Sequence, residues 1–150
     1  MPIIDDERVS VFTDEFDNGH TVQYSLLGLD FQKNDVPGFF WSYKTECSAF
    51  ITLYKIGIKF QKEPSSNTVS CIISVKREDP LLCQIAVKFS IELFNANKES
   101  LGDSVSSRRT SMLSGDTIEE SFDKLISSEI LSSNDKDMVV KITFNIYYCH

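Results

Sequence analysis

Gln84 to Asn95, with the sequence QIAVKFSIELFN, is the stretch that decides the fold of this chain of 150 residues. Large apolar side chains stand at every second position, and small or polar residues stand between them. Successive side chains of a β-strand point to opposite faces, so this alternation predicts a central strand with one buried face and one wetter face. The positions on the buried face are Ile85, Val87, Phe89, Ile91 and Leu93.

A second stretch with the same alternation covers residues 139–148, near the end of the sequence. Shorter strands are predicted where apolar residues alternate with polar ones and where Gly, Pro, Asn or Asp residues mark the turns between them. These strands cover residues 8–13, 21–29, 49–59, 68–76 and 107–113, the last as a polar edge strand.

One helix is predicted near residues 117–128. Thr117, followed by Glu120 three residues later, matches a capping box, in which two side chains satisfy free backbone donors of the first helical turn. Apolar residues then share one helical face at the period of 3.6 residues. They are Ile118, Phe122, Leu125 and Ile126.

The order of these elements predicts an all-β fold. About seven or eight strands follow one another at roughly ten-residue spacing, with one late helix and no regular alternation of strands and helices. This pattern is typical of an antiparallel β-sandwich. A chain of 150 residues with 41% hydrophobic content builds one core, so residues 1–150 are expected to form a single domain.

The net charge of −7 is concentrated near the start of the sequence. The first 17 residues hold six acidic residues against Arg8 alone, and residues 1–7 are expected to be a flexible acidic N-terminus. Binding to nucleic acid or to an anionic membrane requires clustered Lys and Arg, so both are disfavoured. No apolar run has the length of a membrane helix and the first residues do not form a signal peptide, which predicts a cytoplasmic protein, with the nucleus as an alternative.

The sequence contains no recognisable catalytic or cofactor motif. P-loop, GxSxG, HExxH and dinucleotide fingerprints are absent, so the chain is expected not to be an enzyme and to need no cofactor. His20 and His150 lack metal-ligand spacing to each other or to a cysteine, which argues against a zinc site. Asn134, Asp135 and Asp137 are the best candidates for the calcium loop of a C2-type lipid-binding sandwich, but an ordinary turn before the last strand explains them better.

Five segments occur in a recognisable order along the chain. They are LYKIG at 53–57, TVSCIISV at 68–75, FSIELFN at 89–95, FDKLI at 122–126 and the Asn134-Asp135 pair before the last strand. Together they resemble the meprin and TRAF homology domain, known as the MATH domain. The resemblance covers about residues 45–148 well and residues 8–44 loosely. It implies a β-sandwich that binds segments of other proteins without catalysis.

In MATH domains that bind Ser/Thr-rich peptides, aromatic residues on the central strands and just before the helix line a shallow groove. By this resemblance, Phe89 and Phe122 belong to such a groove. Its other aromatic positions hold Thr68, Thr110 and Glu120 instead. Phe is among the residues most often buried, however, and Phe89 shares its parity with the predicted core positions, so core packing is the preferred interpretation for both phenylalanines.

The polar edge strand at residues 107–113 is the predicted binding surface. An extended segment that adds beside a sheet edge gains main-chain hydrogen bonds, and side-chain pockets select among ligands. Arg108 and Arg109 favour an acidic or phosphorylated ligand through charge-assisted hydrogen bonds. The predicted site consists of Phe89, Arg108, Arg109, Thr110, Ser111, Glu120 and Phe122.

Two wider roles are open. MATH domains often accompany a BTB domain that recruits a ubiquitin ligase, so the resemblance implies substrate recruitment in the ubiquitin pathway. The sequence ends directly after the last predicted strand, as a part of a longer protein would. The alternative is a scaffold that dimerises or docks through an exposed strand. Its first candidate surface is Phe39-Phe40-Trp41, for which ordinary core packing is the competing interpretation.

Overall fold

The computed structural model of the chain describes residues 9–16, 19–29, 31, 38–45, 51–102, 104–133 and 138–148. Within them the chain forms ten strands and one short helix. In chain order these are β1 (Val9–Phe16), β2 (Gly19–Leu29), β3 (Phe39–Lys44), β4 (Leu53–Glu63), β5 (Thr68–Arg77), β6 (Ile85–Phe94), β7 (Val105–Ser106), β8 (Thr110–Met112), β9 (Thr117–Ile126), α1 (Ser128–Ser133) and β10 (Met138–Tyr148).

The strands form two antiparallel sheets that pack face to face. The front sheet has the order β1-β2-β10-β6, and both β7 and β8 pair with the far side of β6. The back sheet has the order β3-β4-β5-β9. The predicted antiparallel β-sandwich is therefore confirmed. The described strands outnumber the predicted ones, partly because the edge strand expected at residues 107–113 is two short pieces, β7 and β8.

The central strand predicted from QIAVKFSIELFN is β6, and buried and half-buried residues alternate along all of it. β10 lies beside β6 and shows the same alternation. Inside the sandwich, the rings of Phe89 and Phe144 meet edge to face, with their centroids 5.2 Å apart. The rings of Tyr24 and Trp41 meet across the two sheets at 4.5 Å. These aromatic contacts join the two inner faces into one core.

The outer face of the front sheet is polar. β2 and β10 are neighbours there, although they come from opposite ends of the described chain. The Thr21 hydroxyl donates to Asn145 Oδ1 at 2.8 Å, and Gln23 Nε2 donates to Thr143 Oγ1 at 3.1 Å. One face of the front sheet thus packs on the core and the other faces water, as antiparallel sheets allow.

The prediction of a helix near residues 117–128 is wrong in its position. This segment is β9, paired with β5, and the short helix α1 follows it. Ile118, Phe122 and Ile126 are four residues apart, a spacing that fits one face of a helix and also one face of a strand. The first half of β9 exposes every second residue, and pairing with β5 decides in favour of the strand.

β9 contains a bulge opposite Ser70 of β5. Phe122 pairs with Cys71, and Ile126 pairs with Val69. Three residues of β9 lie between these two pairs, whereas β5 has only Ser70 there. Lys124 takes a positive φ of 53° there, and its N–H donates to Ser70 Oγ at 3.0 Å. The bulge returns Ile126 to the interior and makes this edge of the back sheet irregular, which disfavours pairing with another strand.

His20 links the two sheets through a buried hydrogen bond. Its ring lies on the inner side of β2, and its Nδ1 is 2.6 Å from the hydroxyl oxygen of Tyr43 on β3. Burial lowers the pKa of His20, and the nearby carboxylates of Glu15 and Asp14 oppose this shift only in part. His20 is therefore neutral at pH 7, with Tyr43 as its partner across the sandwich.

The free energy of unfolding is expected to fall as the pH is lowered below 6.5, the ordinary pKa of histidine. Because the pKa of His20 is depressed in the folded state, the unfolded chain binds the proton first, so acid favours unfolding until the folded His20 is also protonated. His20→Gln keeps a hydrogen-bonding side chain for Tyr43 but does not titrate. Urea denaturation of both proteins between about pH 7.5 and 5.5 measures the difference. The wild type should lose more stability than the variant, and equal losses would contradict this role.

Two sequence predictions concern residues outside the described ones. They are the flexible acidic N-terminus at residues 1–7 and the loop that contains Asn134, Asp135 and Asp137. In the part of the chain that the structure does describe, no helix is both long enough and apolar enough to cross a membrane.

Candidate functional site

The predicted edge at residues 107–113 lies at one margin of the front sheet, and a β-bulge interrupts it. β7 and β8 both pair with β6, through Ser106 opposite Ser90 and Thr110 opposite Val87. Between these two pairs the edge has three residues and β6 has only two. The extra residue falls in the segment Ser107-Arg108-Arg109, opposite Lys88 and Phe89. Bulges of this kind re-aim side chains out of the regular pleat, and both arginines stand exposed at the margin.

Ser107 fixes the start of this bulge on β6. Its N–H donates to Phe89 O at 2.8 Å, and its Oγ accepts the N–H of Phe89 at 2.9 Å. The hydroxyls of Ser107 and Thr110 both donate to Arg108 O, at 3.2 and 3.3 Å. Two short hydroxyl side chains thus hold the backbone around the arginines, which is how Ser and Thr commonly define a turn.

Arg109 is held over the outer face of the front sheet by the ring of Tyr147. The guanidinium carbon lies 3.9 Å from the ring centroid. A guanidinium group stacked in this way keeps its in-plane N–H donors directed outward, past the ring. An open cleft of about 290 Å³ adjoins the stack and is lined by Gln84, Ile85, Ala86, Arg109, Ser111, Tyr147 and Tyr148. The cleft therefore combines a cation with aromatic and aliphatic walls.

Arg77, at the end of β5, supports β8 from inside the sandwich. Its side chain is 0% exposed, and its Nη1 donates to Met112 O at 2.9 Å and to Cys83 O at 2.6 Å. Asp79, 1% exposed, accepts from Arg77 Nε and Nη2, both at 3.0 Å. These bonds tie the end of β8 to the end of β5, so the position of the margin depends on this buried ion pair.

Hydrogen bonds keep both members of the pair charged. Burial alone would raise the pKa of Asp79, but bonds from Arg77 and from the N–H groups of Leu53 and Leu81 outweigh burial, and the pKa lies below its usual value. Burial likewise acts to lower the pKa of Arg77, and the hydrogen bonds raise it beyond this effect. The predicted strand at residues 68–76 stops one residue before Arg77, and the sequence did not indicate the pair, because charged residues are almost never fully buried.

Both phenylalanines of the predicted site lie in the core. Phe89 is 1% exposed and packs against Phe144, and Phe122 is 9% exposed on the inner side of β9. They belong to different sheets, and neither ring reaches an outer face. Thr68, at another position of the family groove, is buried as well. The core interpretation is confirmed for Phe89 and Phe122.

Glu120 is half-buried and lies on the side of β9 that carries Phe122. β8, which carries Thr110 and Ser111, contacts β9 at this margin of the sandwich. An inward-pointing charge on an edge strand disfavours the addition of another strand, as do bulges and very short strands. All three features occur at this margin, as the inward-pointing Glu120 on β9, the bulge at residues 107–109 and the short strands β7 and β8. The margin is therefore poorly suited to a long new ladder of backbone hydrogen bonds.

Metal and thiol chemistry have little support in the described segments. None of their His, Cys, Asp and Glu side chains form a group of three or more that could hold a metal ion. Cys71 and Cys83 are free thiols. Burial raises the pKa of Cys71 to about 12, so it stays protonated and packs as a small apolar side chain.

The outer face of the back sheet is a second surface, which the sequence did not predict. A groove of about 440 Å³ lies there, with residues from all four strands of the sheet in its lining. Phe40 stands at its margin and is 72% exposed, whereas Phe39 and Trp41 are buried in the core. The suggested docking segment thus contributes one exposed ring. The signal in the sequence was the parity of Phe40, since strand alternation sends it to the face opposite its two neighbours.

The two surfaces differ in chemistry. The margin of the front sheet offers two exposed arginines, and Arg109 lines a small cleft. The groove of the back sheet offers an exposed aromatic ring and a glycine in a polar surface.

In comparisons with known proteins, no family model matches this chain, and no curated protein matches its sequence.

Proposed function

We propose that this chain is a divergent MATH domain that binds a segment of another protein, without catalysis, at the Arg108–Arg109 margin of the front sheet. The observation that carries the proposal is the bulge, which contains two exposed arginines, one of which, Arg109, lines an open cleft. The two-sheet antiparallel sandwich supports the family, because it is the fold that the resemblance implies. Three of the segments that resemble MATH motifs lie on strands β4, β5 and β6, whereas FDKLI, which the resemblance gives as a helix, lies on strand β9.

The bound segment carries a carboxylate or phosphate group. Among the described residues neither Arg108 nor Arg109 forms an ion pair, so both charges are available to a ligand. Stacking on Tyr147 pre-orients Arg109, which reduces the rotamer freedom lost on binding. Guanidinium groups bind carboxylates and phosphates through strong, often bidentate hydrogen bonds. A neighbouring apolar side chain of the ligand packs in the cleft on Ala86.

The proposed biological role is recruitment of a substrate protein to ubiquitin-pathway machinery, which rests on the MATH resemblance. The proposed location is the cytoplasm or the nucleus. Free thiols at Cys71 and Cys83 suit a reducing compartment. A net charge of −7 suits a protein partner better than nucleic acid.

Arg108→Glu/Arg109→Glu is expected to release the partner. Each hydrogen bond to a charged group contributes about 1.5–3 kcal/mol, and reversal adds repulsion, so the affinity should fall at least about tenfold. Affinity purification from cell extract followed by quantitative mass spectrometry compares the variant with the wild type. Lys98→Glu/Lys124→Glu is the matched control, since it reverses two exposed charges away from the margin.

Thermal melts must first show that both double variants fold as the wild type does. Partners that the arginine variant loses and the lysine variant keeps support the proposal. A folded arginine variant that still recovers every partner of the wild type would show that this margin is not the working surface.

A further inference from the structure

The outer face of the back sheet has a hollow in its middle because the smallest side chains of the sheet stand there. Gly57 and Ser74 are cross-strand partners on β4 and β5. Their next neighbours in the same row are Phe40 on β3 and Glu119 on β9. The row therefore has large side chains at both ends and little between them. This hollow accounts for the groove of about 440 Å³.

Gly57 is needed to keep the hollow open. A Cβ atom at this position would lie 2.9 Å from Ser74 Oγ and 3.4 Å from a ring carbon of Phe40. The first distance is shorter than real Cβ contacts, so any larger residue would displace its neighbours and fill the floor. Glycine weakens a strand interior and often marks a place where a ligand or another backbone approaches closely.

Three lysines lie on this face of the sheet near Gly57, and one of them, Lys59, lines the groove. Lys55 and Lys59 flank Gly57 along β4, and Lys76 is the direct cross-strand partner of Lys55. Residues two apart on a strand are separated by about 6.7 Å and neighbouring strands by about 4.8 Å, so all three side chains start within about 10 Å of Gly57. Like charges directly opposite each other destabilise a sheet. Glu78, 3.4 Å from Lys55, compensates one of the three charges.

Phe40 and Ile72 provide the apolar part of the groove. Phe40 is 72% exposed on the edge strand β3, and half-buried Ile72 is the cross-strand partner of Lys59. A single exposed aromatic residue is ordinary on a protein surface. Here the Phe40 ring, Ile72 and Lys59 line one groove, in which Glu119 supplies a carboxylate. Lys55 and Lys76 lie on the same face just beyond this lining. The surface therefore has an apolar anchor point. Its three lysines exceed Glu78 and Glu119 by one positive charge, opposite in sign to the net charge of −7 of the whole molecule.

We propose that this groove binds an acidic, extended segment of a partner protein, at a site separate from the Arg108–Arg109 margin. An apolar side chain of the segment packs against the Phe40 ring and Ile72, and flanking carboxylates contact the lysines. Charge complementarity selects this occupant. In a two-fold contact the same face meets itself, and lysines would meet lysines, which disfavours a second copy of this chain.

The test uses a peptide of about ten residues, long enough in extended form to cross the sheet. The probe has a central phenylalanine among glutamates, and its matched control has glutamine in place of every glutamate. Titrations followed by ¹H–¹⁵N spectra report the affinity from the Gly57 amide signal, so binding elsewhere is not counted. The acidic probe should bind at least about fivefold more tightly than the neutral one and shift the signals of Phe40, Gly57 and Ser74. Lys55→Gln/Lys76→Gln should weaken binding by about fivefold or more, as should Phe40→Ser.

Two variants on the outer face of the front sheet, Phe12→Ser and Lys141→Gln, are the matched controls and should leave this affinity unchanged. Arg108→Gln/Arg109→Gln should also leave it unchanged, which separates this site from the margin of the front sheet. The proposal is overturned if the acidic probe fails to bind the wild type, or if Lys55→Gln/Lys76→Gln binds it equally well. It is also overturned if the shifted signals lie outside the groove. Concentration-dependent self-association that Phe40→Ser abolishes would assign the face to a second copy of the chain and likewise overturn it.

Discussion

Replacement of Asp79 by alanine is expected to lower the free energy of unfolding by about 3–5 kcal/mol. The substitution leaves the Arg77 guanidinium, which is 0% exposed, without its counter-ion. It also leaves the N–H groups of Leu53 and Leu81 without the carboxylate oxygens that accept them. A buried charge or donor that loses its partner costs far more than an exposed one, because water cannot replace the lost bond. Equilibrium urea denaturation measures the change.

Glu78→Ala is the matched control, since Glu78 is the residue directly before Asp79. It breaks an exposed ion pair, in which Glu78 lies 3.4 Å from Lys55. That pair should contribute less than about 1 kcal/mol. Arg77→Ala/Asp79→Ala should cost less than the sum of the two single substitutions by more than about 1 kcal/mol, as a coupled pair requires. Similar losses for Asp79→Ala and Glu78→Ala would contradict the role of the buried pair.

Phe89→Ala is expected to cost about 3–5 kcal/mol of unfolding free energy. The Phe89 ring is 1% exposed and lies 5.2 Å from the ring of Phe144, on the inner face of the central strand. β6 is paired on both sides, so the backbone cannot move in to fill the cavity that alanine leaves. Thermal and urea unfolding measure the loss.

Phe12→Ala is the control for this substitution, because Phe12 is 61% exposed on the outer face of the front sheet. Its stability should differ from that of the wild type by no more than about 0.5 kcal/mol. At a temperature where both variants are folded, Phe89→Ala should still bind the partner. A Phe89→Ala protein that keeps its stability but loses the partner would place Phe89 in a binding groove, as the family resemblance implies, and the core assignment would then be wrong.

The strands that sequence analysis predicted best are those whose two faces meet different surroundings. β6 and β10 each have one face in the core and one nearer to water, so the period of two is plain in their residues. β9 was mistaken for a helix because Ile118, Phe122 and Ile126 satisfy both periods. Only its pairing with β5, which is distant in sequence, distinguishes the two, and local pattern does not contain that information.

The candidate site was predictable in its residue types and not in its geometry. Arg108 and Arg109 in a polar stretch indicate an anion-binding edge. The bulge that exposes them depends on how two short strands register on the same partner, and no single stretch of sequence specifies this. The hollow at Gly57 depends in the same way on Phe40 and Ser74, which neighbouring strands supply. The burial of Arg77 depends on an acceptor at the end of β8, Met112 O, and on another in the loop before β6, Cys83 O.

The pairing of β2 with β10 has a consequence for biosynthesis. Their Thr21–Asn145 hydrogen bond joins residues 124 positions apart in the chain. As the chain emerges from the ribosome, β2 can form a hairpin with β1, but its other flank stays unpaired until β10 has been translated. The front sheet therefore closes over the core only after synthesis of the last described strand, since the long loop must be closed before its contacts stabilise it. During that interval the open flank of β2, with apolar Val22, Tyr24 and Leu26 beside it, is the surface on the nascent chain that a chaperone would protect.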